Sequence, residues 1–450
     1  MRQINRVFIA NRGEIALRII RACRLLGIET VLGASEADLN SLPAQLADRT
    51  VCIGPAPVTD SYLNTNVIIA SAKGTGADAI HPGYGFLAEV PELAENCEEQ
   101  GLIFIGPKSD HIRQMGNKLL ARALAKRSNV PVLPGSEKVG SYQEAIQVVQ
   151  QIGLPVMLKA AAGGGGRGMK IVRDETDLKE TYDSAAKEAE AAFGDGTLYV
   201  EKYIPHARHI EVQILGDAHG NVIHLGERDC SLQRRHQKLV EEAPAPKISD
   251  TLRQAIRETA VKLAQAIKYE NAGTVEFLVD MDHETFYFLE MNTRIQVEHP
   301  VTEAITGVDL VLEQLRVASG LPLRYTQDDI SFSGHAIECR INAEAPERGF
   351  QPSPGQIAEW VPPGGMGVRL DSHCYAGYTV PMFYDSMIGK LIVHGRDREE
   401  AIQRMQLALN EFRITGIPTT VSFLKQVMRN EDFKNGAVHT RLLETILKDN

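Results

Sequence analysis

EMNTRIQVEHP (residues 290–300) is the stretch on which our prediction of the fold depends. It follows the aromatic run FYFL (286–289), which predicts a strand that runs into a core. Every second residue from there is polar: Glu290, Asn292, Arg294, Gln296 and Glu298. Because alternate side chains of an extended chain share a face, we expect two carboxylates, an amide pair and a guanidinium to face one space. That face suits a small charged ligand that needs an acid, a base and a fork of hydrogen-bond donors.

A predicted β-hairpin leads into this stretch. The runs NAGTVEFLVD (271–280) and TFYFLEMN (285–292) are separated by a short polar loop, and two such strands should pair. Pairing places Glu276 opposite residue 288 or 290, on the same face as Glu290. Two carboxylates side by side repel each other unless a cation lies between them. We therefore predict a cation site on this hairpin.

Magnesium is the cation that the hairpin favours. Mg²⁺ takes a few carboxylate oxygens together with substrate phosphates, and Asn292 supplies a further oxygen on the same face. The alternative is a pair of solvated glutamates on an exposed sheet. Phe286 and Phe288 are expected on the face of Glu290, because all three have even numbers, and they argue against open water there.

The bulk composition excludes several classes of protein. The 450 residues predict about two to four domains, and 43% apolar and 24% charged residues are typical of a globular chain. The net charge of −10 gives no reason to expect a nucleic-acid partner. The six cysteines form no C-x-x-C pair, which disfavours a zinc or redox motif and fits a reducing cytoplasm. We expect no signal peptide and no membrane helix, since no apolar run approaches ~20 residues.

Alternating strand and helix signals divide the chain into four segments. An open α/β sheet is expected in residues 1–113, beginning with the buried strand RVFIA (6–10), and a helical linker follows at 114–130. A second α/β block covers residues 131–204, and a longer α/β segment with antiparallel signals covers residues 205–450. The predicted fold class is therefore α/β.

A glycine loop interrupts the second block at KAAAGGGGRGMK (159–170). Four consecutive glycines free the backbone and allow amide groups to approach phosphate oxygens. The loop ends in R-G-M-K-I-V, which predicts a strand, whereas a Walker P-loop would end in G-K-[ST] and open a helix. We interpret the loop as a hairpin flap, with Lys159 placed for a phosphate. A floppy surface turn is the alternative.

A third stretch, GERDCSLQRRHQKLVEEAPAP (226–246), is crowded with basic side chains. Taken alone, it is more simply interpreted as a solvated loop. Gln233, His236 and Lys238 become candidates only beside the other predicted sites.

A fourth stretch, GHAIECRINAE (334–344), predicts a strand with Glu338, Arg340 and Asn342 on one face. Arg340 is then either an anion holder or the partner of Glu338 in a structural ion pair.

Taken together, these stretches resemble the biotin carboxylase branch of the ATP-grasp family. The motifs run in the family's order from about residue 5 to 425 and include NRGEIALRIIRAC, HPGYGFL, GGGGRGMK, EKYI, QRRHQK, EMNTRIQVEHPVTE, GHAIECRINAE and YDSMIGKLI. QRRHQK and EMNTRIQVEHPVTE are specific to biotin-dependent carboxylases. The resemblance implies an ATP-grasp fold with an N-terminal open α/β (Rossmann-like) domain, a mobile glycine-flap lid domain and a larger C-terminal α+β domain.

The resemblance also implies roles for individual residues. ATP phosphates would be held by Lys118, Lys159, Gly165 and Gly166. The adenine pocket would be lined by Glu201, Lys202 and Ile204, and the ribose and base region by His209, Gln233 and His236. Mg²⁺ (or Mn²⁺) would be held by Glu276, Glu290 and Asn292. Bicarbonate would be surrounded by Lys238, Arg294, Gln296 and Val297, with Glu298 as the base and Arg340 at the biotin.

The activity implied is ATP- and bicarbonate-dependent carboxylation of biotin through carboxyphosphate. Glu298 would deprotonate bicarbonate, Arg340 would stabilise the biotin enolate, and the glycine flap would close as a lid. The sequence contains no A-M-K-M attachment site and no carboxyltransferase, so biotin is expected on a separate biotin carboxyl carrier protein, with carboxyltransferase subunits as further partners. The resemblance also implies a cytoplasmic homodimer that serves an acyl-CoA carboxylase, such as the acetyl-CoA carboxylase of fatty acid synthesis.

Three positions depart from the pattern usual in this family. SEADLNSLPAQ (35–45) has Leu39 where an arginine is usual and Pro43 where a histidine is common. Asn117 stands where an aspartate is frequent, next to an intact Lys118. The first two put local surface contacts in doubt, and with them the identity of partners, but not the chemistry.

Two other functions stay open at this point. An ATP-grasp ligase that joins a carboxylate to an amine through an acyl phosphate would share the phosphate, metal and flap motifs, but EMNTRIQVEHP and QRRHQK disfavour it. Its ATP cleavage would not depend on bicarbonate. A catalytically idle nucleotide-binding scaffold would tolerate Glu298→Gln, whereas an enzyme should lose turnover and keep ATP binding.

Overall fold

The structure, a computed structural model, describes residues 3–136, 138–160 and 169–448. The first part of the chain alternates short strands and helices. Its elements are β1 (Arg6–Ile9), α1 (Gly13–Leu25), β2 (Glu29–Ala34), α2 (Leu42–Leu46), β3 (Arg49–Cys52), α3 (Thr65–Gly74), β4 (Ala79–His81), α4 (Pro91–Glu99), β5 (Ile103–Phe104), α5 (Ser109–Gly116) and α6 (Lys118–Arg127).

The five strands of this part form one parallel sheet in the order β3-β2-β1-β4-β5. Val7, Phe8 and Ile9 of β1 have no exposed surface, which explains why this strand is a continuous apolar run. The strand order reverses at β1, and ligands of open α/β sheets bind outside the carboxyl ends of strands at such a point. Asn11 and Arg12, which follow β1, line a large cavity there. The predicted open α/β sheet is confirmed.

The second part is a small antiparallel sheet with two helices. Its elements are α7 (Tyr142–Ile152), β6 (Val156–Ala160), β7 (Met169–Val172), α8 (Glu175–Phe193) and β8 (Leu198–Lys202). Strand β6 lies between β7 and β8 and pairs antiparallel with both. The antiparallel β6-β7 pair is the one predicted on either side of the glycine loop. The predicted flap itself, at 161–168, lies outside the described residues.

The remaining chain contains the largest sheet and most of the helices that cover it. Its elements are β9 (Ala207–Gly216), β10 (Val222–Arg234), β11 (Gln237–Ala243), α9 (Asp250–Ala266), β12 (Asn271–Asp280), β13 (Thr285–Asn292), α10 (His299–Thr306), α11 (Leu310–Ala318), β14 (His335–Asn342), β15 (Glu344–Ala345), β16 (Gln351–Pro352), β17 (Gly355–Gln356), β18 (Glu359–Val361), β19 (Val368–Ser372), β20 (Thr379–Val380), β21 (Met387–Gly395), α12 (Arg398–Glu411), β22 (Arg413–Thr415), α13 (Val421–Val427), α14 (Glu431–Lys434) and α15 (Leu442–Lys448).

Eight of these strands form one antiparallel sheet in the order β13-β12-β9-β10-β11-β14-β21-β19. Strand β9 shows how the sheet is built from its sequence. Ile210, Val212 and Ile214 point into the core that contains the apolar side of α9. The alternating residues His209 and Glu211 point to the other face. The sheet therefore buries one face under a helix and turns polar side chains toward the cavity.

The predicted hairpin consists of β12 and β13, and Glu276 pairs directly with Glu290. A bulge beside this pair shifts the register, so that Phe277 pairs with Phe288. The expectation that Phe286 and Phe288 share the face of Glu290 is therefore wrong. Both aromatic side chains join Phe277 in the core on the opposite face.

Two of the three departures from the family pattern have simple local roles. Asn117 is the N-cap of α6, and its side chain accepts hydrogen bonds from the backbone N–H groups of Leu119 and Leu120, both at 3.1 Å. Asparagine and aspartate cap helices about equally well, so the exchange changes little. Pro43 lies in the first turn of α2, where proline is tolerated, and Leu39 is 42% exposed.

Among the described residues, no helix has the length and apolar character that crossing a membrane requires. The predicted domain boundaries after residues 113, 130 and 204 stay predictions.

Candidate active site

One cavity collects the candidate residues. It encloses about 1900 Å³ and is lined by residues from all three parts of the chain. Every described residue to which a site role was assigned from the sequence lines it: Lys118, Lys159, Glu201, Lys202, Ile204, His209, Gln233, His236, Lys238, Glu276, Glu290, Asn292, Arg294, Gln296, Val297, Glu298 and Arg340. Gly165 and Gly166, also predicted for the site, lie outside the described residues.

Two local expectations from the sequence are wrong. Strand β13 ends at Asn292, so the predicted extended chain from residue 290 to 298 holds only to that point. An irregular segment follows, and α10 begins at His299 with Pro300 in its first turn, a position that suits proline. The interpretation of residues 226–246 as a solvated loop is also wrong, because most of them form the paired strands β10 and β11.

Lys238 is the centre of the polar network in the cavity. Its Nζ donates to Glu211 at 2.6 Å, to Glu276 at 3.0 Å and to Glu298 at 2.6 Å. Burial disfavours a charged amine, but these three carboxylates raise the pKa of Lys238 well above its usual value. The ammonium group is therefore charged and shared between three acids in the free protein.

Glu298 lies in the turn before α10 and has no exposed surface. One of its oxygens accepts from Lys238 at 2.6 Å, and the other accepts from Nη2 of Arg340 at 2.9 Å. Burial acts in the opposite direction, yet Lys238, Arg340 and Arg228 hold the pKa of Glu298 well below its usual value. A carboxylate held in this way is a weak base until its cations are drawn away.

Arg340 is held by two carboxylates. Its Nε donates to Glu241 at 2.6 Å and its Nη2 donates to Glu298 at 2.9 Å. The alternative of a structural ion pair with Glu338 is therefore wrong, since the guanidinium bonds to β11 and to the turn before α10 instead. Arg340 lines the cavity, so a developing negative charge there would meet a guanidinium that is already oriented.

The hairpin carboxylates fit a magnesium ion. Burial and the neighbouring charge of Glu276 raise the pKa of Glu290, as expected for two adjacent carboxylates. The side chain of Glu290 is 42% exposed, and Nζ of Lys118 lies 3.8 Å from it. Asn292 donates its Nδ2 to Glu276 at 2.8 Å, and its Oδ1 accepts from Nη2 of Arg294 at 3.1 Å, so its oxygen would exchange that partner for the ion. Two carboxylates and an amide are the oxygen donors that Mg²⁺ takes.

His209 connects the carboxylates to the predicted ribose region. Its Nε2 lies 2.9 Å from Glu276, and its Nδ1 lies 3.0 Å from Nε2 of Gln233. Burial would lower the pKa of His209, but Glu276 reverses the effect and the pKa is raised. Ligand atoms of His209, Glu211 and Glu276 come within 4.8 Å of one another. Because Lys238 and His209 already balance these two acids, we interpret the group as an ion-pair network.

Glu201 joins the small sheet to α6 at the predicted nucleotide end of the cavity. Its two oxygens accept from Arg122 at 2.7 Å and from Lys159 at 2.6 Å. Lys202 turns its Nζ to the backbone oxygen of Leu154, at 2.8 Å. The phosphate candidate Lys159 is therefore paired with an acid in the free protein.

Sequence reasoning missed several residues that hold the site together. Nε of Arg294 donates to Glu89 at 2.8 Å, and Glu89 comes from the loop before α4 in the first part of the chain. No local signal predicts this contact across the molecule. Glu211 is different, because it alternates with His209 in β9 and the parity argument used for residues 290–298 would have found it.

Family models match three consecutive regions of the chain. Residues 3–112 match the biotin carboxylase N-terminal domain, and residues 338–445 match the biotin carboxylase C-terminal domain. Residues 117–326 match the ATP-binding domain of the carbamoyl-phosphate synthase L chain. The three matches together cover nearly the whole chain.

Individual proteins are similar over almost the full length. Biotin carboxylase 1 of Bacillus subtilis is 53% identical over 98% of this chain and 98% of its own. A pyruvate carboxylase subunit of Methanothermobacter thermautotrophicus is 54% identical over 98% of this chain and 89% of its own. A solved dimer of the biotin carboxylase domain of Hydrogenobacter thermophilus 2-oxoglutarate carboxylase, in complex with MgADP, ADP and bicarbonate, has a TM-score of 0.91 and 48% identity over 99% of both chains.

Proposed function

The chain belongs to the biotin carboxylase family, and from this premise we propose that its cavity carries out the first half-reaction of an acyl-CoA carboxylase. It is an ATP-dependent ligase with the ATP-grasp fold, and it uses ATP and Mg²⁺ to carboxylate biotin. The observation that carries the proposed roles is the meeting of Lys238, Glu298 and Arg340 beside the hairpin carboxylates in one cavity. The biotin would arrive on a separate carrier protein.

The phosphates of ATP would bind between Lys118 and Lys159, which line the same cavity. Glu276, Glu290 and Asn292 would hold Mg²⁺, which spreads the charge of a transferring phosphoryl group. An incoming phosphate would draw Lys159 away from Glu201, its present partner at 2.6 Å.

Bicarbonate would bind among Lys238, Arg294, Gln296 and Val297. Arg294 can present a fork of donors to a planar oxyanion, and Glu89 fixes its Nε for that task. As Lys238 turns to the anion, Glu298 loses the cation that depresses its pKa most and becomes a better base. Glu298 then takes the proton of bicarbonate, whose oxygen attacks the γ-phosphorus. ADP leaves and carboxyphosphate forms.

Carboxyphosphate would break into CO₂ and phosphate inside the closed cavity. That phosphate can take the ureido proton of biotin, and the resulting enolate attacks CO₂ to give carboxybiotin. Arg340 would stabilise the enolate oxygen, because Glu241 holds its Nε and so orients the guanidinium. The Glu241 contact fits this role better than a purely structural one, since it leaves the arginine on the cavity wall.

ADP release from the purified protein tests this proposal. MgATP is supplied with bicarbonate and free biotin, separately and together. ATP cleavage should rise only when both are present, and label from bicarbonate should appear in biotin. ATP cleavage that ignores bicarbonate would favour a ligase that makes another acyl phosphate.

We propose acetyl-CoA as the final acceptor, in fatty acid synthesis, with the carboxyltransferase and the biotin carboxyl carrier protein on other chains. Pyruvate and 2-oxoglutarate are the competing acceptors, because similar proteins carry those names. A cell extract depleted of this protein with an antibody, and then resupplied with it, distinguishes them. Resupply should restore the transfer of bicarbonate label to acetyl-CoA. Transfer of the label to pyruvate or 2-oxoglutarate instead would replace acetyl-CoA as the proposed acceptor.

We further propose that the protein is a homodimer in the cytoplasm. The 2-oxoglutarate relative is a dimer in its solved structure. Sedimentation equilibrium should give twice the 49.5 kDa of one chain. The mass of a single chain across the working concentration range would contradict the dimer.

A further inference from the structure

Glu241 and Glu338 are two buried acids to which the reaction above gives no chemical step. They are direct partners on the neighbouring antiparallel strands β11 and β14. Neither residue has any exposed surface. Side chains directly opposite each other on such strands have Cβ atoms about 4.5–5.5 Å apart, and like charges at that position destabilise the sheet. Two full negative charges are therefore disfavoured here.

The oxygens of these acids are poorly provided with donors. Oε1 of Glu241 accepts from Nε of Arg340 at 2.6 Å. Oε2 of Glu241 and both oxygens of Glu338 are buried without a hydrogen-bond partner among the described residues. A buried carboxylate without donors is costly, and the group takes up a proton instead. These three oxygens, on side chains directly opposite each other, are the atoms of the pair that are open to a proton.

The surrounding charges do not supply a separate cation for each acid. The pair faces Arg340 of β14, Lys238 of β11 and Lys390 of β21. The other titratable groups that interact with it are Glu298, Tyr84, Cys230 and Cys339. Arg340 and Lys238 are both shared with Glu298. Lys390 donates to the backbone oxygen of Val297 at 2.8 Å and lies 3.1 Å from Glu14.

The electrostatics agree with this geometry. Burial raises the pKa of Glu338 well above its usual value, with a further rise from Glu241, although Lys390 acts against it. Burial also raises the pKa of Glu241, to about 7, although Arg340 acts against it. Interacting acids lose their protons in steps that belong to the pair rather than to one residue.

We propose that Glu241 and Glu338 share one proton in the resting protein and that this proton makes them the positioning pair for Arg340. With the proton on the Glu338 side, Glu241 stays an anion and holds Nε of Arg340. Loss of the proton places a second negative charge behind the guanidinium and weakens its attraction for an enolate oxygen. The role in positioning depends on the proposed function, whereas the shared proton does not.

Infrared titration of the ligand-free protein tests the proton directly, because a protonated carboxyl group absorbs apart from a carboxylate. The wild type should show a protonated-carboxyl band that fades as the pH is raised. Glu338→Gln should remove that band, while Glu14→Gln and Glu290→Gln should retain it. The absence of the band in the wild type, or its persistence in Glu338→Gln, would overturn the shared proton.

The pH profile of biotin carboxylation tests the positioning role. With a neutral glutamine at 338, only Glu241 can be negative behind Arg340, so no second charge appears as the pH rises. The alkaline limb of the profile of kcat/KM for free biotin should therefore move to higher pH. For each pH unit of that displacement, kcat/KM at high pH should rise about tenfold relative to its value at neutral pH. Superimposable profiles of the wild type and Glu338→Gln would overturn the role, even where the infrared band is seen. If ATP cleavage ignored bicarbonate in the wild type, the proposed function would fail while the infrared result would stand.

Discussion

At the scale of single residues, the two cations that contact Glu298 are each shared between carboxylates. Lys238 is divided among three acids, and Arg340 is divided between Glu241 and Glu298. A nearby cation lowers the basicity of each acid that it contacts. Substrates that attract these cations therefore change the proton affinity of Glu298 before any bond is formed.

Glu298→Gln should lower bicarbonate-dependent ADP release by roughly 10²–10⁴-fold, the usual contribution of a general base. The amide cannot accept the proton of bicarbonate, but it keeps the size of the side chain, so ATP binding should be retained in calorimetry. Glu258→Gln is the control, since Glu258 lies on α9 with a side chain that is 51% exposed. Equal turnover in both variants would favour a protein that binds nucleotide without catalysis.

Lys238→Gln should move the acid limb of the ADP-release profile to higher pH. Lys238 is the cation that lowers the pKa of Glu298 most, so its removal raises that pKa. An acid with a higher pKa is already protonated, and inactive as a base, at a higher pH. The profile is measured with saturating bicarbonate, because the same change weakens the anion site. A limb that stays in place would mean that Glu298 is not the group that titrates.

At the scale of elements, the hairpin β12-β13 shows which features the sequence predicts and which it does not. Two apolar runs and a polar loop predicted the pair, and parity predicted that Glu276 and Glu290 meet. Parity failed for Phe286 and Phe288 because a bulge inserts one residue next to the acidic pair. A bulge is selected by packing on both faces of the sheet, and no residue type in the strand indicates it.

Glu242 ties three elements together and gives the sheet a pH dependence. Its carboxylate accepts from His335 of β14 and from Nε of Arg398 of α12, both at 2.7 Å. Burial acts in the opposite direction, but these donors lower the pKa of Glu242 to about 2 from 4.5. Because the folded-state pKa of Glu242 lies below its unfolded value, the ionised side chain stabilises the fold above about pH 4.5. This stabilisation is lost as the pH falls toward 2.

Glu242→Gln should therefore lower the stability by about 3 kcal/mol near neutral pH, from the size of the pKa shift. The difference from the wild type should be constant above about pH 5 and should shrink as the pH falls below the unfolded pKa of an acid. Urea unfolding at several pH values measures both parts. Glu258→Gln again serves as the control, and a difference that does not shrink at low pH would show that packing rather than charge is lost.

At the scale of the whole molecule, the cavity depends on contacts that join distant parts of the chain. Arg294 meets Glu89 across 205 positions of sequence, and Lys390 meets the backbone of Val297 across 93. Motifs predicted which residues line the cavity, because each motif is local. They could not predict which residues hold the parts together, because these partners share neither a strand nor a helix.

Nucleotide binding should stabilise the molecule as a whole, because its site is assembled from several parts. A ligand at about a hundred times its Kd adds about 2.7 kcal/mol to a folded state that alone binds it. MgATP should therefore raise the midpoint of thermal unfolding by several degrees, and removal of Mg²⁺ with a chelator should reduce the rise. Glu276→Gln should reduce it as well, whereas Glu258→Gln should not. A rise that ignores both the chelator and Glu276→Gln would contradict the hairpin metal site.

The paired cations of the cavity make ligand entry an exchange rather than an addition of charge. A bicarbonate that takes Lys238 from Glu298, or a phosphate that takes Lys159 from Glu201, replaces one ion pair with another. Few counterions from solution then take part in the exchange, because the carboxylates of the protein already occupy the cations that the ligand anions would bind. Affinity for these anions should consequently change only slightly with the concentration of simple salts, whereas an open cationic pocket would release its ligands steeply as salt is added.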